Sequence, residues 1–401
     1  MKTHKNTLHI FRRDLRIHDN TALLKALESS EQVFCIFVFD PQQIENHDYR
    51  STPGLQFMLE SLQDLYDAIA QKGGRFYFFS GEAADVLKKI IKHQDIDCVS
   101  WNKDYTPFSL KRDKAMREIC EKKNIAVIEE DDPLLQPPGK ILTGSNSPYK
   151  VYTPFMRRSK DFAVERSVKN NFSNFASSLM DNDLGKKYLK SMLSQYAKGE
   201  YAVHGGREEG EKLLKKVRNL EEYKQKRDFP AYNYTSHLSA HNKFGTLSIR
   251  EVYYYIRKHF GSGHTLINEL YWRDFFTHVG YHFPHVFKGA FHKKYNKLKW
   301  SQSKKNFEAW CNGKTGYPMV DAGMRELNKT GYMHNRVRMI TASFLVKDLH
   351  INWQWGEKYF AQKLIDYDPA VNNGNWQWAA STGCDAQPYF RIFNPWRQAE
   401  K

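Results

Sequence analysis

At 401 residues the chain is long enough for two or three domains with substantial cores, and 41% hydrophobic residues exclude a disordered polymer. Its 61 Lys and Arg against 45 Asp and Glu leave a net charge of +16, which favours a polyanionic partner, nucleic acid first and an acidic membrane second. Five scattered cysteines without a C-x-x-C argue against a disulfide framework or a cysteine zinc site, and no apolar run is long enough to span a bilayer.

From the N-terminus, MKTHKNTLHIFRRD lacks the apolar run and small-residue cleavage site of a signal peptide, so a cytoplasmic location is expected. Short runs rich in β-branched and aromatic residues follow: LHIFRRD, VFCIFVFD, RFYFFSG, CVSWNKD and IAVIEED. Between them lie the helical segments NTALLKALES, PGLQFMLESLQDLYDAIAQKG, EAADVLKKIIKHQ and SLKRDKAMREICEKKN. Strands bridged by helices of this length predict a doubly wound parallel sheet, an α/β Rossmann-like domain over residues 1–131. The stretch DDPLLQPPGKILTGSNSPYK breaks the pattern with Pro, Gly and Ser, and residues 132–194 are expected to form an interdomain linker. From about residue 195 the segments are helical and basic, predicting an all-α domain over 195–401.

Chemistry-bearing clusters fall mostly in that second half. In RDFPAYNYTSHLS, downstream of Tyr223, the hydroxyls of Thr235, Ser236 and Ser239 lead into a helix, a setting that holds a phosphate or simply caps the helix. In NELYWRDFF, Glu269 and Trp272 share a helical face with Arg273 beside them; this suits a nucleobase edge and ring face, or equally a buried aromatic beside a surface acid. His278, His282, His285 and His292 cluster without an H-E-x-x-H or an acidic third ligand, so a basic groove wall and no metal are expected. In GYMHNRVRMITASF, Asn335, Arg338 and Met339 share a face, and Arg338 needs a carboxylate, for which Asp366 and Asp368 are candidates.

The last cluster, DYDPAVNNGNWQWAASTG, crowds acids, amides and tryptophans together without a nucleophile. Asp368 before Pro369 is an N-cap, and Asn372 and Trp376 fall on one helical face while Trp378 points elsewhere. One tryptophan can then face inward while the other lines a cavity; the alternative is two core aromatics.

Together these motifs closely resemble the photolyase and cryptochrome family, specifically the bacterial class I cyclobutane pyrimidine dimer photolyases. The resemblance runs from FRRDLRIHDNTALLKAL at 11–27 to YFRIFNPWRQAEK, with the helical motifs in the family's order. It implies an N-terminal antenna domain and a C-terminal FAD-binding and DNA-binding domain. The motif matches imply flavin contacts from Tyr223, Thr235, Ser236, His237, Leu238, Ser239, Asn335 and Tyr367. They also imply an Arg338–Asp366 pair flanking the isoalloxazine, Asp368 hydrogen-bonded to it and Asn372 opposite its N5. Glu269, Trp272, Arg273, Asn335, Arg336, Met339 and Trp378 match a pocket for a flipped dimer. Trp376, Trp353 and Trp300 match the chain that photoreduces the flavin.

The implied activity is light-driven repair of cyclobutane pyrimidine dimers in DNA, a lyase reaction in which excited reduced FAD lends an electron to the lesion. Glu269 would stabilise the substrate radical anion. The rival is a cryptochrome-like photoreceptor, and a third possibility is a nucleic-acid-binding protein with a vestigial flavin site. Met333-His334-Asn335 disfavours the (6-4) photolyases, and Asn372 departs from the residues usual in animal and plant cryptochromes. The family's TSRLS is TSHLS here, and Phe108-Ser109 replaces the Asn-Glu pair of folate-type antennas, leaving a folate, a flavin or no antenna chromophore open. Relatives usually continue beyond NPWRQAEK, which leaves an intact enzyme, a truncation and a naturally short variant open; a monomer is expected.

Overall fold

Apolar runs without polar alternation belong in a sheet covered on both faces. In the computed structural model, which describes residues 2–45 and 47–400, five such runs pair in parallel. They are β1 (His4–Phe11), β2 (Ser30–Phe39), β3 (Phe76–Ser80), β4 (Cys98–Asn102) and β5 (Ala126–Glu130), in the spatial order β3-β2-β1-β4-β5. Leu8 of β1 lies between Phe34 of β2 and Val99 of β4. Alternation sends Val33, Cys35, Phe37 and Phe39 to one face, where helices Thr21–Ser29 and Thr52–Gln71 cover them. Phe34, Ile36 and Val38 go to the other, beneath helices Ala83–His93 and Pro107–Lys122. The sheet is therefore doubly wound. The strand order turns back between β1 and β4, and in such sheets a crevice opens at the carboxyl ends of those strands.

Residues 132–194, expected to be a linker, are tied to both halves of the molecule. Helix Tyr152–Lys160 packs against helix Thr265–His282, and Phe175 bridges to Val33 at the sheet. Helix Gly185–Tyr196 lies on helix Thr52–Gln71 and β3. Its first residues precede 195, where the helical domain was expected to begin.

The remaining helices form two cores. One surrounds Thr265–His282; the other joins Pro318–Thr330, Asn335–Ser343, Trp353–Lys363 and Pro369–Ala379. Polar bonds fasten the helical part to the α/β part. Arg16 donates to both oxygens of Asp132 at 2.8 and 2.7 Å, and Arg250 donates to Asp132 at 2.8 Å and to Asp19 at 2.9 Å. The Ser51 hydroxyl accepts from Gly54 N–H and donates to the Leu364 carbonyl at 2.6 Å. All five cysteines are free and buried. Among the described residues no helix is long and apolar enough to cross a membrane.

Candidate active site

The Asn335–Ser343 helix starts on the His334 side chain, which accepts the Arg336 N–H. One turn in, Arg338 meets Asp366 in a two-pronged pair at 3.2 and 2.9 Å, and its Nε donates to the Met333 carbonyl. Asp366, not Asp368, is thus the carboxylate that Arg338 needs. Asp368 caps helix Pro369–Ala379 by accepting from the N–H groups of Ala370 and Val371, and its other oxygen accepts from Arg13 at 2.6 Å. Burial would raise the Asp368 carboxyl, but Arg13, Lys243 and Arg273 hold it below the usual range.

Along that helix Asn372 is buried and donates its amide to the Glu357 carbonyl at 3.0 Å and the Glu357 carboxyl at 3.1 Å. Trp376 is buried at 2% exposure, edge-on to Trp310 at 6.1 Å and to Phe360 at 4.9 Å. Trp378 is half-buried on another face. Trp353 is buried in the same core, and half-buried Trp300 packs against it. Ser301 beside Trp300 donates its N–H to the His350 carbonyl, bringing the two tryptophan segments together.

A second string of side chains starts at Tyr223, buried under the Arg227 guanidinium. Arg227 pairs with Glu269 on helix Thr265–His282, and Arg336 donates to Asp228 at 3.2 Å. Desolvation pushes the Glu269 carboxyl up while Arg227 pulls it back. One turn on, the half-buried indole of Trp272 lies flat against Tyr152, with ring centroids 3.6 Å apart. The strings converge where the Thr235 hydroxyl meets the Tyr332 hydroxyl at 3.2 Å and Tyr332 lies under Arg338. His237, at φ 53°, packs on Tyr332. Helix Ser239–Phe244 follows with Leu238 at its cap, so its first-turn N–H groups have no side-chain acceptor.

Three further expected residues, and the histidine run, are placed as follows. Arg273 donates to the carbonyls of Pro133 and Asn242 in the interdomain seam, so its charge is engaged there and not offered to a nucleic acid. Tyr367 lines the interdomain cleft, stacked with Tyr49 at 6.5 Å. Asn335 is exposed and approaches only the half-buried Met339, its amide 3.9 Å from the sulfur. The histidine run is structural at its buried end, where His278 bonds the Gln136 carbonyl at 2.9 Å.

Sequence reasoning passed over Glu357, Arg227, Asp228 and Arg13. For Glu357 a signal existed, since it follows Trp353 by four residues and so shares its helical face. Arg13 had none, because its partner Asp368 is 355 residues away.

The sequence matches two family descriptions: "DNA photolyase" over residues 7–170 and "FAD binding domain of DNA photolyase" over residues 266–401. A deoxyribodipyrimidine photo-lyase from Alkalihalophilus pseudofirmus is 37% identical over 98% of this chain and 83% of its own length. The chain belongs to the DNA photolyase family. An archaeal photolyase from Sulfolobus tokodaii, solved with two FAD molecules, is 41% identical with a TM-score of 0.89, covering 99% of this chain and 87% of that one. A cryptochrome from Synechocystis sp. shares the photolyase fold at 27% identity and a TM-score of 0.87, over 100% of this chain and 87% of its own.

FAD, the cofactor in the photolyase description, suits the donor set here. Uncapped N–H groups and three hydroxyls match an acidic pyrophosphate, and the planar Arg338–Asp366 pair offers donors and acceptors to a heteroaromatic edge. A cavity of about 500 Å³ lies between the domains at the carboxyl ends of β1, β2 and β4. Phe11, Phe37, Met58 and Phe108 give it apolar walls, and Arg112 and Lys243 contribute cations. One terminal nitrogen of Arg112 is buried there without a hydrogen-bond partner.

Proposed function

We propose that this protein splits cyclobutane pyrimidine dimers in DNA, using light absorbed by FAD in the helical domain. The observation carrying this reading is Glu269, a desolvated carboxyl one turn from the half-buried Trp272 and paired with Arg227. When bound and reduced, FAD supplies one-electron chemistry on illumination. The residues of the chain position the lesion and stabilise its charge. Trp272 and Trp378 would stack on an extruded pyrimidine dimer, and Arg227 and Arg336 would draw its phosphates. Glu269, whose carboxyl desolvation pushes up against the pull of Arg227, would stabilise the negative charge that develops on the dimer by hydrogen bonding to it. Arg338 with Asp366 and the Asn372 amide would fix the cofactor's ring. Trp376, Trp353 and Trp300 would carry electrons to it from the surface. A photoreceptor would have no use for the Glu269–Trp272 pair.

The interdomain cavity supports a second, light-harvesting chromophore. Its buried, unpartnered Arg112 nitrogen and its aromatic walls suit a planar molecule with an anionic tail.

The test is an absorbance scan of purified protein followed by illumination with a thymine-dimer oligonucleotide. Flavin bands and light-dependent restoration of monomeric thymines are expected. A flavin-loaded, reduced protein that leaves dimers intact under light would favour the cryptochrome-like reading. In the active protein, Glu269→Ala should weaken dimer splitting while FAD content is retained.

A further inference from the structure

Helix Tyr152–Lys160 begins without a side-chain cap of its own, because Val151 occupies the cap position. Its first N–H, that of Tyr152, donates instead to the Asp385 carboxylate at 2.9 Å. Asp385 stands in the loop that leaves helix Pro369–Ala379, just beyond Trp378. The neighbouring Cys384 thiol donates to the Lys150 carbonyl at 3.0 Å, so the loop is tied twice to the same three residues. The Tyr152 ring, 7% exposed, lies parallel to the Trp272 indole within 7° at a centroid distance of 3.6 Å. Its hydroxyl donates to the Asn268 carbonyl at 2.7 Å, one residue before Glu269.

One residue from a segment that composition marks as a linker therefore touches one tryptophan wall and the loop that follows the other. It covers one face of Trp272, whose other ring neighbours are Phe276, at 5.5 Å and 30° to the indole, and Phe275, edge-on at 5.8 Å. Through its backbone it also anchors the exit loop of the Trp378 helix. A stacking platform discriminates best when its ring is already held at the bound angle, because ordering it on binding costs affinity. We propose that Tyr152 is a positioning residue for the lesion, which backs the Trp272 indole and holds it at the angle the lesion meets. The inference rests on Trp272 stacking on the dimer.

The experiment measures dark binding of FAD-loaded protein to matched oligonucleotides with and without a thymine dimer. Tyr152→Leu removes the flat backing but keeps the N–H to Asp385. It should weaken dimer binding roughly 3- to 10-fold, the scale of one aromatic pair, and leave undamaged DNA unaffected. Tyr152→Phe keeps the stack and should stay within about twofold of the unmodified protein. In a Trp272→Ala background, Tyr152→Leu should have no further effect, since the ring it orients is gone. Should Tyr152→Leu fail to hold FAD, Tyr152→Met, which fills the space without a planar face, replaces it with the same expectation.

Normal dimer affinity in the Leu or Met variant, equal loss on both oligonucleotides, a Phe variant as weak as Leu, or additivity with Trp272→Ala would each overturn the proposal. If Trp272→Ala itself binds dimers normally, the pocket reading fails and takes this one with it. If Trp272→Ala is weakened and Tyr152→Leu is not, only the role of Tyr152 fails.

Discussion

Glu357 is the side chain whose protonation bears directly on Asn372, since its carboxyl accepts the Asn372 amide. It is 5% exposed, and burial pushes it from the usual 4.5 to about 7, against hydrogen bonds from Asn372 and Tyr49. Between those two values the folded protein holds a proton that the unfolded chain has released, so stability falls as pH rises towards 7 and then levels off. The integrated loss is on the order of 3 kcal/mol. Glu357→Gln keeps an acceptor for Asn372 and cannot ionise. Thermal melts of the two proteins should agree near pH 5, with the variant gaining stability over the unmodified protein up to pH 8. Asp274, also pushed to about 7 by burial, titrates alike in both and cancels in the difference. A difference that does not vary with pH would show that Glu357 is ionised when buried.

Between elements, a close approach occurs where helix Trp353–Lys363 crosses helix Pro369–Ala379. A Cβ on Gly356 would stand 2.2 Å from the Trp376 ring and 2.6 Å from Leu345. Glycine there lets the indole lie directly on the opposing backbone. Gly356→Ala should therefore overpack the crossing, costing about 1–3 kcal/mol, partly offset by about 1 kcal/mol of helix propensity. Because the ring that must move is Trp376, photoreduction of bound FAD should slow along with the fall in Tm; a lower Tm with unchanged photoreduction would remove Trp376 from the electron path. This crossing was only half legible in the sequence. The i,i+4 spacing of Asn372 and Trp376 could be read, and so could the strands, because a sheet buried on both faces needs continuous apolar runs such as VFCIFVF. Partners across the fold could not. Asp366 and Asp368 were equal candidates for Arg338 until Arg13, from the other domain, proved to hold Asp368. The partners of Arg273 could not be read either, because proximity to Glu269 along the helix says nothing of carbonyls at Pro133 and Asn242. Helix Tyr152–Lys160 was missed because nine residues with a proline inside are too few for periodicity to outweigh the surrounding Pro, Gly and Ser.

At the scale of the whole molecule, the flavin and lesion sites keep their geometry only if the helical half stays docked on the sheet. The buried group that does this has two cations and two carboxylates, Arg16 and Arg250 with Asp132 and Asp19. It is close to neutral as a set, so the individual desolvation costs are largely offset within it. Burial would raise the Asp132 carboxyl, but Arg16 and Arg250 hold it far below the usual range, so it is ionised at any working pH. Asp132→Asn preserves shape and removes one charge, leaving two buried guanidinium groups to share Asp19. Breaking a buried pair in this way costs about 3–5 kcal/mol, and the cost falls on the contact between domains. The expected result is a loss of cooperativity as well as of Tm. Flavin release and loss of far-UV ellipticity should coincide on heating the unmodified protein and separate in the variant, with flavin released first. Because the group is shielded from solvent, that change should persist when salt is raised from about 0.05 to 0.5 M. DNA binding, driven by a surface charge of +16, should weaken steeply over the same range. Coincident transitions in Asp132→Asn at an unchanged midpoint would mean that apolar packing alone holds the domains together.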